Sequence, residues 1–132
     1  AANGQLTEQI TLDSTLLNFG GAADLVTYIG HDGLMEFSVD IKFNTTKSTK
    51  DVMILACYSK HYFSPLIQKA NANPLLWTTH LMAPEAYTLK AAIDGWLLNE
   101  NGKQIAQRAA QAYNKYQKCG IKGAQKLMTT GY

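Results

Sequence analysis

The stretch Val52–Ser59, VMILACYS, constrains the fold more than any other part of the chain. Val52 to Cys57 are consecutive apolar residues with no polar alternation. A strand with one solvated face alternates, whereas a strand buried on both faces does not, so this run predicts an inner strand of a parallel sheet. Cys57 then falls at the carboxyl end of that strand, the edge where chemistry gathers in open α/β sheets. A second strand candidate, Leu25–Gly30 (LVTYIG), ends the same way, and His31 follows it. If the two strands are parallel neighbours, His31 and Cys57 reach one edge of the sheet.

The rest of the chain supplies elements for such a sheet. Residues 1–5 read as a loose end. Residues 6–19 carry a rough helical period through Leu6, Ile10 and Leu17, although Thr7 and Ile10–Leu12 also suit a strand; Gly20-Gly21 ends the segment. His31-Asp32-Gly33 reads as a turn. Residues 34–41 alternate loosely at Met35, Phe37, Val39 and Ile41, which favours an extended segment or hairpin arm. Residues 44–50 are polar and loop-like. Ser64-Pro65 reads as the N-cap and first residue of a short helix. Pro74 opens another buried strand, Leu75–Thr79. A helix follows Ala83-Pro84-Glu85, with Leu89, Ile93, Trp96 and Leu97 on one face. A second helix spans 103–118, with Gly120 placed as its C′ residue. Residues 121–132 are short and basic, a final helical turn or a strand. Strands alternating with helices predict an α/β fold, a mainly parallel sheet flanked by helices.

Length and composition agree with one soluble globular domain: 132 residues, 46% hydrophobic and 17% charged. No apolar run approaches a membrane span, and no basic segment followed by an apolar one marks a signal peptide, so a cytoplasmic setting is favoured over a secreted one. Two cysteines do not make a disulfide scaffold, and Cys119 reads as a buried free thiol. The charge is uneven. Residues 102–132 hold five Lys, Arg108 and no acid, whereas all ten acids lie before them. Such a run is either a solvated helix face, the commoner case, or a contact surface for an anionic partner. Nucleic-acid binding through residues 103–126 is the weaker form of that reading.

A thiol and an imidazole brought together can hydrolyse an acyl bond. The imidazole takes the thiol proton and later returns one to the leaving amine, while backbone N–H groups face the oxyanion. Cys57 and His31 are the candidate pair, Cys57 and Gly33 supply the candidate oxyanion N–H groups, and Lys60 would favour thiolate if close. Cys57, His61 and His80 do not have zinc-ligand spacing, no phosphate-binding glycine loop precedes a helix, and no cofactor is expected.

These residues resemble a family. TYIGHDG followed by VMILACYS is similar to the caspase–gingipain–legumain clan of cysteine peptidases, in which one strand ends in His-Gly and the next in Ala-Cys or Ser-Cys. His31 matches the histidine and Ala56-Cys57 the nucleophile pair. The resemblance extends loosely through LLWTTHLMAPEAY, where the clan places a wall of the substrate pocket. It implies a caspase-like three-layer sandwich, cysteine endopeptidase activity on peptides or proteins, and a pocket drawn from Asp32, Trp77, Thr78, Thr79 and His80. It also implies two strands ahead of the histidine strand, where this chain has room for one element. The expectation is therefore a single domain, residues 1–132, incomplete at its N-terminus, that pairs with a missing segment or with itself. The alternative is a catalytically silent caspase-like interaction module with a basic C-terminal contact surface.

Overall fold

The computed structural model describes residues 7–20, 22–41 and 49–132. Its elements run β1 (Thr7–Leu12), β2 (Thr15–Gly20), β3 (Leu25–Ile29), a 3-10 turn (Gly33–Met35), β4 (Asp51–Leu55), α1 (Ser59–Lys69), β5 (Asn73–Thr78), α2 (Ala86–Leu97), α3 (Gly102–Gln117), α4 (Ile121–Leu127) and β6 (Met128–Thr129). The fold is mixed α/β. The main sheet has the order β3-β4-β5-β6, with the first three strands parallel and β6 antiparallel to β5.

The apolar run behaves as its pattern requires. β4 is an inner strand, and its residues alternate between two cores. Val52, Ile54 and Ala56 pack with Phe63 and Ile67 of α1. Met53 and Leu55 face the larger core, with Leu76 of β5, Ala92 of α2, and Ile105, Ala109 and Tyr113 of α3. Helices therefore cover both faces of the central strands. Truncating Leu55 to Ala would cost about 2–5 kcal/mol, the usual range for a fully buried aliphatic side chain. The β4–β5 register shifts between Val52 and Met53 because Val52 lies opposite Pro74 and Met53 opposite Leu76. Pro74 has no N–H to give the ladder, and the extra residue there forms a bulge.

Four local expectations need correcting. Residues 7–20 form an antiparallel hairpin rather than a helix, closed by Asp13 and Ser14. Both have positive φ (45° and 67°), as a tight two-residue hairpin turn demands. Residues 34–41 contribute no strand; the Asp32 side chain accepts from Leu34 N and starts a 3-10 turn instead. Helix α1 begins at Ser59, not Ser64, and carries Pro65 inside it. Gly120 is the N-cap of α4; the left-handed residue that ends α3 is Lys118, with φ 53°. The expected loop at 44–50 lies largely outside the described residues, as does the segment 1–5.

Candidate functional site

β3 and β4 pair in parallel from Leu25–Asp51 to Ile29–Leu55. The ladder continues past the strands, because Gly30 N donates to Leu55 O at 3.2 Å. His31 and Cys57 each follow two residues after the last pair, so both lie just beyond the carboxyl edge of the sheet. Tyr28 Oη donates to His31 O at 2.6 Å and holds the backbone there.

The turn that carries Cys57 is tightly built. Tyr58 has φ 50°, a left-handed conformation that costs a non-glycine residue about 1 kcal/mol. Two hydroxyls compensate beneath it. Ser59 Oγ donates to Ile54 O at 2.8 Å and accepts from Thr78 N at 2.9 Å; Thr78 Oγ1 donates to Ala56 O. Helix α1 starts two residues after Cys57. Lys60 is engaged elsewhere. Its Nζ donates to Gly131 O at 3.0 Å and lies over the Trp77 ring.

The two reactive side chains are engaged with other partners. Cys57 Sγ accepts from Met82 N at 3.5 Å and lies 3.6 Å from Met82 O, to which it can donate. His31 Nε2 lies 2.9 Å from Glu36 Oε1, and both side chains are about two-thirds exposed. Among the described residues, no hydrogen bond joins the thiol to the imidazole. The backbone N–H groups of Cys57 and Gly33 donate to no described residue, which leaves them able to face an oxyanion. The Phe37 ring packs where a Cβ on Gly33 would stand.

The proposed pocket residues divide. His80 is exposed at the same edge: Tyr58 N donates to His80 O at 3.0 Å, and the two rings are 5.8 Å apart. Thr79 Oγ1 donates to Lys126 O at 2.8 Å and contacts His80 Nδ1 at 2.8 Å. Trp77 and Thr78 are wholly buried. Trp77 donates Nε1 to Gly131 O and lies under the Tyr132 ring, so it offers no surface to a ligand. Asp32 is also buried. Its Oδ1 accepts from Leu34 N, and its Oδ2 has no partner among the described residues. Burial raises its pKa above the ordinary 3.8, against the Leu34 N–H and the charge of His31, which lower it.

Sequence reasoning missed Ser59 and Met82, and it placed Glu36 near the site without its bond to His31. The Glu36 spacing was visible, but nothing in the pattern foretold a 3-10 turn that returns it to His31. Cys119 is exposed rather than buried. Among the described residues no group of three or more His, Cys, Asp or Glu gathers as a metal site, and no helix is long and apolar enough to cross a membrane. Two open grooves, of about 320 and 360 Å³, lie along α3 and are lined by Lys103 and Gln107; neither includes Cys57, His31 or His80. No family model matches the chain, and no curated protein or solved structure matches it.

Proposed function

We propose that this chain is a cysteine peptidase domain of caspase-like type, with Cys57 as nucleophile and His31 as general base. The observation that carries the reading is that His31 and Cys57 each follow, by two residues, the carboxyl end of two paired parallel strands. In the reaction, the Cys57 thiol gives its proton to the His31 imidazole. The thiolate attacks the scissile carbonyl carbon, whose oxygen becomes an oxyanion facing the N–H groups of Cys57 and Gly33. The C–N bond breaks as His31 returns the proton to the amine, and water then hydrolyses the thioester. For this the thiol has to turn from Met82 toward His31, a side-chain rotation with a loop adjustment. Catalytic hydrogen bonds are often loose before substrate arrives.

The second reading is a silent interaction module. It is favoured by the same two side chains being engaged with Met82 and Glu36, and by the basic stretch from residue 102 onward.

Iodoacetamide labelling followed by peptide mapping separates the two. On the peptidase reading Cys57 alkylates at neutral pH far faster than the exposed Cys119, and His31→Ala removes the difference. Equal rates at the two thiols sink the peptidase reading and leave the module.

A further inference from the structure

A two-residue mechanism has no part for Glu36, yet the fold delivers its carboxylate to His31 by a specific route. Asp32 Oδ1 accepts from Leu34 N, Met35 N donates to Asp32 O at 3.2 Å, and Glu36 N donates to Gly33 O at 3.0 Å. One 3-10 turn thus returns the chain, and Glu36 Oε1 stands 2.9 Å from His31 Nε2. We propose that Glu36 is a positioning residue: it fixes the hydrogen of His31 on Nε2, so that Nδ1 is the atom that takes the Cys57 proton. The proposal rests on the peptidase reading above.

An ionised carboxylate only accepts, so the hydrogen between the two groups belongs to Nε2. A neutral imidazole with Nε2–H keeps its lone pair on Nδ1. After proton transfer the imidazolium carries both hydrogens, and the Glu36 charge lies against Nε2–H, where it stabilises the cation. Among the described residues, the other ionisable groups that contact His31 are Asp32, buried beside it, and Tyr28, whose hydroxyl is committed to His31 O.

The same edge carries a control. Thr79 Oγ1 lies 2.8 Å from both Lys126 O and His80 Nδ1. If its one hydroxyl hydrogen goes to Lys126 O, its oxygen accepts from His80 Nδ1–H and His80 holds the opposite tautomer, with its lone pair on Nε2. Tautomer identity distinguishes the two imidazoles in one spectrum.

Long-range proton–nitrogen NMR on histidine-labelled protein reads these tautomers directly. It is paired with Cys57 alkylation rates in a Cys119→Ser background. The inference predicts an Nε2–H tautomer at His31 in the parent protein and a mixture in Glu36→Ala. Glu36→Ala should also slow alkylation at neutral pH about tenfold, against about a hundredfold for His31→Ala, which removes the base itself. Glu36→Gln, whose amide oxygen still accepts from Nε2, should keep the tautomer and restore part of the rate. Both residues are exposed, so these variants keep the fold. An unchanged tautomer and rate in Glu36→Ala, with His31→Ala still slow, overturns the role of Glu36 and spares the dyad. Faster alkylation in Glu36→Ala also overturns it, because the acid would then be holding His31 away from the thiol. No effect of His31→Ala, or an effect of His80→Ala in its place, overturns both this inference and the dyad.

Discussion

Ser59 Oγ and Thr78 Oγ1 lie 3.1 Å apart, both fully buried beneath the turn that carries Cys57. Together they hold Ile54 O, Ala56 O and the N–H groups of Ser59 and Thr78. This knot ties the exit of β4 and the start of α1 to β5. Thr78→Val keeps the side-chain shape and strips the hydroxyl, so Ala56 O and Ser59 N each lose one of two partners and keep only the bond to each other at 3.3 Å. A net buried hydrogen bond is worth about 0.5–1.5 kcal/mol, so a loss of about 1–2 kcal/mol is expected in urea unfolding. Thr78→Ser, which keeps the oxygen, should lose less. If Thr78→Val unfolds with the parent midpoint and slope, the knot contributes nothing.

The central strand was legible because burial on both faces leaves an unbroken apolar run, and Val52–Ala56 has no second explanation. The parallel pairing of the strands that His31 and Cys57 follow was legible for the same reason. Less was visible where one residue carries two local preferences. Asp13 and Ser14 fit a helical surface as well as a turn, and only their positive φ separates the cases. Pro65 marks a helix start in sequence, but in the fold the helix starts at Ser59, directly after the left-handed Tyr58, and the exposed residue His61 carries the carbonyl that Pro65 leaves unpaired. The Ser59–Thr78 knot and the His31–Glu36 pair depend on where loops return, which no residue period encodes.

Asp32 sets a pH dependence. Its pKa in the folded protein is raised above the ordinary 3.8, chiefly by burial. The folded state then binds the proton more tightly than the unfolded chain, so the contribution of Asp32 to stability falls as pH rises from the unfolded value through the raised folded value. Asp32→Asn removes that charge while its amide oxygen still accepts from Leu34 N. It should stabilise the domain at neutral pH by about 1 kcal/mol, the scale of one unsatisfied buried polar group, and lose the advantage below the unfolded pKa. Thermal melts across pH 3–8 test this. An advantage that grows toward acid would contradict the raised pKa.

Specificity follows from charge near the site. Aspartate-directed peptidases need a planar guanidinium to fork the carboxylate. The chain's single arginine, Arg108, lies on α3 and is bound to Glu100. Glu36 stands beside His31 instead, with Asp32 buried next to it. Any cleavage should therefore favour a basic or uncharged residue before the scissile bond. Fluorogenic peptides ending in Arg, Lys, Asn and Asp would rank the preference, and faster release from the Asp substrate would refute the argument.

The outer edge of β3 pairs with no described strand. On one face of that strand Val26 and Tyr28 are 43% and 44% exposed, although Leu25 and Ile29 on the other face pack against the larger core. An open edge with an apolar face is a template for another strand, from a further segment or from a second copy. The described chain should therefore associate with itself at micromolar concentrations, measured by sedimentation velocity. Val26→Lys places a charge on the edge strand without touching the core, the device natural edges use against pairing. It should shift the protein toward monomer with its melting temperature little changed. A parent chain that sediments as a monomer at every concentration would show that the β3 edge recruits no second copy. Weakened association with an unchanged fold would locate the contact on β3, the strand that leads to His31.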